Sequence, residues 1–518
     1  MTSFNPGPNP SNRPELDHPN QREKGFGWAI AWTFFGALIP GSGLLKSRHR
    51  AIGGIAVALF AIITVSIAAA ATVGRNQLAQ LAVNPTALTV LAAVLIVVAL
   101  AWDAVIVGTH LSLRPAPATT FERMFGGIVV GTLCFAVAAP LTLAADYAFT
   151  TATAINQVFD DDPGGPASAH ASDPWQGVDR INLLIIGGDS GVKSNRSTSV
   201  GARTDTVIVA SLNPRTGSST LITMPRNAEH MPFPPGSPLR KYYPNGFYKP
   251  GAVGMERAEY LLNAMYRNVP AHVPANALGK TKDLGASALM QSVGYALGLD
   301  IKYYVFVNMD GFKDFVNAIG GITVNVNYAV PIGGHNASGN EPEEKPAGWI
   351  EPGPNTPLKG AKALWFARGR YHLNDYSRME RQRCVVYAVS QQATPQVVLT
   401  NYESIVKTGV NNLSTNIPRS LLPALADVAL KVKSSPSRSL VLDPANGFLS
   451  YRPNWAWVRT RVQRAIAESA AAPTPAAPRT PDGSAPPHSA STPGTHTKSD
   501  DLSVVCSYHP QDYHPTQR

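Results

Sequence analysis

The chain has 518 residues, of which 44% are hydrophobic and 15% charged, and its formal net charge is +10 at pH 7. This length allows two or three folded units, and the charged fraction lies below the roughly 25% of soluble domains, which indicates lipid-embedded or low-complexity segments. A positive net charge is compatible with binding to nucleic acid, to an anionic membrane surface or to a phosphate-bearing ligand. No zinc-finger, helix-turn-helix or RNP-like pattern accompanies the charge, so nucleic acid is not expected as a partner.

A short tail and a membrane region make up the first part of the chain. Residues 1–25 are rich in Pro, Asn and Ser and lack an apolar period, so we expect a disordered cytoplasmic tail. Three apolar runs come close to the ~20 residues that a bilayer core requires. A fourth run is shorter and is interrupted by PGSG, which suits a hairpin better than a straight span. The predicted membrane region, 26–150, therefore has a hairpin at 28–45 and spans at 51–73, 86–108 and 126–149.

The distribution of positive charge predicts the orientation of these spans. Lys46, Arg48 and Arg50 precede the first span, and Arg114 and Arg123 lie between the second and the third. The positive-inside rule makes both clusters cytoplasmic. Everything that follows the third span is then outside the cell, whether or not the hairpin crosses. We expect a multi-pass protein of the cell membrane whose large C-terminal domain is extracellular.

A linker at 151–178 leads into alternating strand-like and helix-like stretches. Residues 180–186, RINLLII, form a near-continuous apolar run, which is typical of a strand covered on both faces. The second and third predicted strands are the β-rich runs at 206–212 and 219–224, and helical spacing recurs along the domain. This alternation predicts the α/β class: a three-layer sandwich with a central mixed sheet flanked by helices, preceded by a helical transmembrane region.

The remaining boundaries come from composition. We expect the main extracytoplasmic domain at 179–395 and a C-terminal helical extension at 396–468. Residues 469–518 are mostly Ala, Pro, Thr and Ser and are predicted to be a disordered tail. The mildly apolar stretch 502–506 is the part of this tail that could dock back onto the domain.

Three cysteines are too few for a disulfide scaffold. Cys134 lies in an apolar run and is expected to pack there. Cys384 and Cys506 either form one long-range bridge outside the cell or are two unrelated thiols, and the sequence leaves both open.

Two acids lie at predicted strand ends. Asp189 follows the first strand and Asp205 begins the second, and the ends of neighbouring strands meet at the crevice where α/β sheets bind ligands. Two carboxylates brought close need a cation or a shared proton. Oxygen-only ligands favour a hard ion such as Mg²⁺. The structural alternative is that Asp189 only caps a turn.

Basic residues form a second group. Arg226 follows the third strand, and the spacing of Asp375, Arg378, Arg381 and Gln382 places them on one side of a helix start. Guanidinium groups suit bidentate recognition of phosphate, and a helix N-terminus favours anions. The alternative is a solvated charged face.

Several segments, in this order, resemble the LytR–CpsA–Psr family: INLLIIGGD, ARTDTVIVASLNP, TLITMPRN, VFVNMDGFKDFVNAIGGITVNV, LKGAKALWFARGRY and DYSRMERQR. GALIPGSGLL with three spans looks like the membrane portion of actinobacterial members. The resemblance implies an extracytoplasmic, Mg-dependent phosphotransferase. Such an enzyme takes a glycopolymer from a polyprenyl-pyrophosphate carrier and joins it to peptidoglycan through a phosphodiester at the outer face of the membrane.

The resemblance also implies roles for individual residues. Asp189 and Asp205 would hold Mg²⁺, with Mn²⁺ as an alternative, and Gln382 would assist in binding the pyrophosphate. The polyprenyl chain would enter an apolar tunnel between the sheet and its helices. The arginines that would bind the substrate are Arg203, Arg226, Arg368, Arg370, Arg378 and Arg381. The residues assigned as catalytic are Asp189, Arg203, Asp205, Arg226, Arg370 and Arg378.

The sequence departs from the family at Asn227, where an aspartate is usual after Pro-Arg. Asparagine keeps an acceptor oxygen but carries no charge and cannot act as a base. Two other functions remain open: a polyprenyl-pyrophosphate hydrolase that uses the same site with water, and a non-catalytic polyprenyl-lipid-binding regulator of cell-envelope assembly, which Asn227 favours.

Overall fold

A computed structural model describes residues 25–73, 84–115, 118–159, 173–189, 203–281, 283–337, 342–393, 412–471 and 499–510. The chain divides into two compact units, one formed by residues 1–75 and 90–148 and the other by residues 76–89 and 149–518. Residues 1–24, most of the predicted linker and most of the Ala/Pro-rich tail lie outside the described residues.

Four helices contain the apolar runs: α1 (Phe26–Leu38), α2 (Arg50–Val73), α3 (Pro85–Leu113) and α4 (Thr120–Val158). By length and composition, α2, α3 and α4 could each cross a membrane, and they cover the three predicted spans. The predicted hairpin at 28–45 consists of most of α1 and the turn that follows it. Gly41 lies so close to the backbone oxygen of Gly53 in α2 that no side chain would fit there, and Trp102 Nε1 donates to the backbone oxygen of Ala37 over 3.0 Å. The turn is thus held by contacts with α2 and α3.

The second unit is built on a mixed seven-stranded sheet with the order β11-β10-β3-β2-β1-β4-β9. β1 runs antiparallel to β2 and parallel to β4, and β10 runs parallel to β3. Two small sheets, β5-β8 and β6-β7, lie outside it. The strands are β1 (Ile181–Gly188), β2 (Thr204–Leu212), β3 (Ser219–Met224), β4 (Tyr303–Val307), β5 (Ile322–Val326), β6 (Val330–Ile332), β7 (Gly348–Ile350), β8 (Gly353–Leu358), β9 (Leu413–Thr415), β10 (Ser437–Val441) and β11 (Asp500–Asp501).

Helices cover both faces of this sheet. Successive residues of a strand point to opposite faces: Val209 packs with Leu289 in one core, and Ile208 packs with Leu221 and Leu502 in another. The predicted three-layer α/β sandwich is therefore confirmed. The helices of this unit are α5 (Gly254–Ala258), α6 (Leu262–His272), α7 (Leu284–Leu297), α8 (Met309–Ala318), α9 (Gly360–Arg368), α10 (Asp375–Gln392), α11 (Leu422–Lys433), α12 (Trp455–Ala470) and α13 (Leu502–Val505).

The region predicted as a helical extension at 396–468 has a different organisation. β9 pairs with β4, and β10 pairs with β3, so this stretch supplies two strands of the central sheet as well as α11 and α12. Leu440 and Val441 of β10 are buried. The sequence did not indicate these short strands, because they are stabilised by partners far away in sequence that a local pattern does not reveal.

Residues 499–510 belong to the folded domain, so the disordered tail predicted at 469–518 does not extend over them. β11 pairs with β10, and Leu502 is fully buried. Cys506 forms a disulfide with Cys384 of α10. This contact settles the two alternatives for the cysteine pair and ties the C-terminal segment to the helix that carries Arg378.

Candidate functional site

The site begins at an irregularity between β1 and β2. Gly187 lies opposite Thr206 and Gly188 opposite Thr204, so Asp205 is an extra residue on its strand. A Cβ at Gly188 would collide with the ring of Phe306, which explains why glycine stands there. Such a bulge redirects a side chain at the edge of a ladder.

Asp205 contacts two arginines from distant parts of the chain. Its Oδ1 accepts a hydrogen bond from Arg226 Nη1 over 2.8 Å, and Arg226 follows β3 directly. Its Oδ2 lies 3.8 Å from Arg378 Nη1, and its backbone oxygen accepts a hydrogen bond from Arg378 Nη2 over 3.1 Å. β2, β3 and α10 therefore meet at this carboxylate.

Asp375 is a second acid in the same network. It lies in the first turn of α10, which Asn374 caps. One of its oxygens lies 3.1 Å from Arg378 Nη2, and the other lies 3.3 Å from Arg226 Nε and 3.8 Å from Arg370 Nη1. These five residues, Asp205, Arg226, Arg370, Asp375 and Arg378, are called the arginine clamp below.

Charge and burial in the clamp favour an anionic ligand. Arg378 is 2% exposed, and burial lowers its pKa to about 10 although Asp375 opposes this shift. For Asp205, burial is the largest single effect and opposes ionisation, but Arg226 and Arg378 together hold the pKa of the carboxyl below its usual value. Within the described residues, Arg378 Nε is buried without a hydrogen-bond partner. Three guanidinium groups thus face two carboxylates.

Arg203 and Asp189 form a neighbouring group. The Arg203 amide donates to Asp189 Oδ1 over 2.8 Å. The Arg203 guanidinium binds the carboxylate of Glu259, which also binds Arg267 and accepts a 2.8 Å hydrogen bond from Asn268. Burial opposes ionisation of Glu259, yet these partners keep its pKa below the usual value. Glu259 was not anticipated, since it lies in no motif of the sequence.

Three other predicted residues have different surroundings. Arg368 donates to Met309 Sδ over 2.8 Å and stacks on the ring of Trp365. Arg381 and Gln382 are buried on α10, and the guanidinium of Arg381 binds backbone oxygens and a tyrosine hydroxyl. The roles of these three side chains toward a substrate remain predictions.

Asp189 and Asp205, the predicted Mg²⁺ ligands, come from the adjoining ends of β1 and β2. Both supply carboxylate oxygens, and Mg²⁺ commonly uses one or two carboxylates together with substrate phosphates. Asp205 would share its oxygens with Arg226, which carboxylate lone pairs permit. Among the described residues, no group of three or more His, Cys, Asp or Glu is placed to hold a metal. Two carboxylates alone would suit a hard ion only if substrate oxygens and water completed its shell, and the Mg²⁺ site remains a prediction.

The predicted polyprenyl tunnel would lie between the sheet and its helices. In that layer Leu184, Val209 and Leu289 are each 0% exposed and pack into one core. No open channel passes these three side chains. The tunnel remains a prediction.

Known proteins resemble parts of the chain. Polyisoprenyl-teichoic acid–peptidoglycan teichoic acid transferase TagU of Enterococcus faecalis (strain ATCC 700802 / V583) is 27% identical over 240 residues, which cover 46% of this chain and 61% of that protein. Biofilm regulatory protein A of Streptococcus mutans serotype c is 28% identical over 258 residues, covering 49% and 54%. The matches therefore span less than two thirds of either relative's length.

Among solved structures, protein gbs0355 from Streptococcus agalactiae is 24% identical with a TM-score of 0.39, covering 55% of this chain and 88% of that one. The B. subtilis TagV structure is 21% identical with a TM-score of 0.35, covering 55% and 96%. The model of the LytR_cpsA_psr family matches residues 147–445, more than half of the chain and the whole of the arginine clamp. The chain therefore belongs to the LytR_cpsA_psr family.

Proposed function

We propose that this protein is a phosphotransferase that moves a glycopolymer from a polyprenyl-pyrophosphate carrier to peptidoglycan through a phosphodiester bond. The observation that carries the proposal is the arginine clamp, in which Arg378 is almost fully buried and still retains an unpartnered Nε within the described residues. Such a site gains stability from an added anion. The name of the Enterococcus relative, a transferase between polyisoprenyl-teichoic acid and peptidoglycan, supports the same class of substrates.

The clamp suits phosphoryl transfer because that reaction chiefly requires positioning and neutralisation of charge. A hydroxyl oxygen of the acceptor forms a bond to the sugar-side phosphorus, and the bond from that phosphorus to the bridging oxygen breaks. The polyprenyl phosphate leaves with the electron pair, and the hydroxyl proton passes to it or to solvent. Arg226 and Arg378 would bind the phosphate oxygens as charge builds up on the leaving group.

The two acids of the clamp have a different task. Asp205 and Asp375 each contact Arg226 and Arg378, which holds the guanidinium planes in place before substrate arrives. Pre-set donors cost little reorganisation during the reaction. A carboxylate whose pKa is lowered in this way is a poor proton acceptor, so Asp205 is not assigned as the general base.

We also propose that Asp189 and Asp205 hold Mg²⁺ when the lipid substrate is bound. The ion would neutralise phosphate charge as the arginines do.

The proposed location is the outer face of the cell membrane, with α2, α3 and α4 as spans and the sheet domain outside. The positive residues that flank the helices support this orientation. The disulfide between Cys384 and Cys506 is in keeping with an oxidising compartment.

The experiment is a product analysis with the full chain in proteoliposomes. A polyprenyl-pyrophosphate-linked oligosaccharide is supplied with Mg²⁺, with and without peptidoglycan. We expect polymer on peptidoglycan together with polyprenyl monophosphate, and little turnover without acceptor. Equal release of polymer in both cases would identify a hydrolase. Bound lipid with no turnover in either case would identify the non-catalytic regulator.

A further inference from the structure

We propose that Arg381 is a positioning residue, which together with Tyr328 fixes Arg370 and Arg378 relative to one another, and that it does not bind the pyrophosphate itself. The inference deepens the proposed function and rests on it for the identity of the ligand. It revises the role that the sequence motif implies, because Arg378 and Arg381 lie one helical turn apart and look equivalent in the sequence.

All three nitrogens of the Arg381 guanidinium bind protein groups. Nε donates to the backbone oxygen of Phe366 over 2.6 Å, Nη2 donates to the backbone oxygen of Gly369, and Nη1 donates to the hydroxyl of Tyr328 over 2.6 Å. The side chain is 5% exposed. Phe366 and Gly369 lie at the end of α9, where carbonyl groups lack helical partners. Arg381 thus satisfies these carbonyls from the neighbouring helix.

The residue that follows Gly369 is Arg370 of the clamp. Gly369 is closely packed, since a Cβ there would lie 2.6 Å from the backbone oxygen of Pro331. The bond from Arg381 therefore fixes the start of the segment 369–374, which carries Arg370 from α9 to α10.

Tyr328 extends the connection to the first turn of α10. It lies between β5 and β6 and is largely buried. Its hydroxyl accepts from Arg381 and also donates to the backbone oxygen of Ser377 over 3.4 Å. Ser377 directly precedes Arg378. One buried pair, Arg381 and Tyr328, therefore contacts the backbone next to both clamp arginines.

The contrast with Arg378 distinguishes a ligand-binding arginine from a positioning one. Arg378 contacts two acids at the clamp and retains an unpartnered Nε among the described residues. Arg381 has a hydrogen bond at every nitrogen, and moving its guanidinium toward the acids of the clamp would break these bonds. Leaving those carbonyls unpaired would cost free energy.

The test uses the full chain in nanodiscs and two variants, Tyr328→Phe and Arg381→Lys. Binding of inorganic pyrophosphate with Mg²⁺ is measured by calorimetry, and amide exchange of segment 369–374 is measured by mass spectrometry. Tyr328→Phe keeps the charge of Arg381 and frees one of its donors. If Arg381 were a ligand, that variant would bind pyrophosphate at least as well as the wild type. If Arg381 is a positioning residue, both variants bind about five- to tenfold more weakly, and the segment exchanges faster in both.

Two matched controls separate positioning from a general loss of stability. Tyr303→Phe removes the hydroxyl of a buried tyrosine at the first position of β4. Arg383→Lys alters another buried arginine of α10, which binds Asp500 and Ser439. Neither should change the affinity for pyrophosphate, even where the melting temperature falls.

The outcomes are distinct. Weaker binding in Arg381→Lys alone makes Arg381 a ligand and overturns the proposal, and so does unchanged exchange of segment 369–374 in both variants. If the wild type binds no pyrophosphate, the arginine clamp no longer supports the proposed function. The exchange rates still decide the positioning role in that case: faster exchange in Tyr328→Phe supports it, and unchanged exchange overturns it.

Discussion

Arg378 and Asp205 are joined twice: the arginine donates to the backbone oxygen of Asp205 over 3.1 Å, and its Nη1 lies 3.8 Å from the carboxylate of the same residue. The two residues are 173 positions apart. The contact fixes the start of α10 against the bulge of β2. The clamp therefore exists only when the domain is folded, so each substitution in it is tested for its effect on stability as well as on activity.

Arg378→Ala should reduce polymer transfer by at least about 100-fold, because it removes a pre-set donor to the phosphate. Arg378→Lys should also be strongly impaired, since an ammonium group cannot span both acids. Initial transfer rates in proteoliposomes check this, with the exposed Arg464→Ala as a control for loss of charge. Full activity in Arg378→Ala would remove the clamp from the mechanism.

Asp205 predicts a pH dependence of stability. Burial opposes its ionisation, but Arg226 and Arg378 keep its pKa in the folded state below the unfolded value of about 4. The ionised carboxylate therefore contributes stability above about pH 4, and the contribution is lost as the pH falls through the folded pKa. Asp205→Asn should melt at a lower temperature than the wild type at pH 7, and the difference should shrink below about pH 4. A constant difference over this range would contradict the assignment.

Removing the disulfide should destabilise the domain. Cys384 and Cys506 are separated by 122 positions, and bridges that close long loops typically contribute about 2–4 kcal/mol. The double variant Cys384→Ser/Cys506→Ser should unfold at lower denaturant concentration, and a reductant should shift the wild type to the same midpoint. The reductant should have no further effect on the double variant.

Leu502 tests whether the C-terminal segment belongs to the core. Leu502 is 0% exposed and packs between Ile208 and Leu221, whereas Val504, in the same helix, is 59% exposed. Leu502→Ala should lower the free energy of unfolding by about 2–5 kcal/mol. Val504→Ala should change it by less than about 0.5 kcal/mol. Equal effects in denaturant titrations would mean that the segment is not docked in solution.

Asn227→Asp restores the residue that is usual in the family. Asn227 is exposed, and the acids that contact the clamp arginines are Asp205 and Asp375. We therefore expect transfer rates within about twofold of the wild type, because substitutions of exposed side chains usually have small effects. A large gain in turnover would place the side chain at position 227 in the reaction.

Much of the fold and part of the site could be predicted from local patterns in the sequence. The apolar run before Gly187 predicted a strand, and acids at strand ends predicted where side chains converge. The spacing of Asp375 and Arg378 predicted a shared helix face, which the 3.1 Å contact between them confirms. Each of these inferences depends on neighbours within a few positions of the chain.

Tertiary contacts account for what the sequence did not reveal. Glu259 binds Arg203 across 56 positions and lies in no recognisable pattern. The bulge at Asp205 arises from pairing with β1, and the short strand β10 depends on β3. Arg378 and Arg381 look alike in the sequence, but the environment of one consists of acids and that of the other of carbonyl oxygens. Spacing cannot distinguish the two environments.

The order of strands in the central sheet has a consequence for its assembly. From the β1–β2 pair, strand numbers rise in both directions, through β4 to β9 on one side and through β3 and β10 to β11 on the other. In this order each later strand pairs with a strand that precedes it in the chain, so the sheet can assemble from the middle outward. The outermost strands, β9 and β11, are only three and two residues long, and such short edges offer little template for pairing with strands of other molecules.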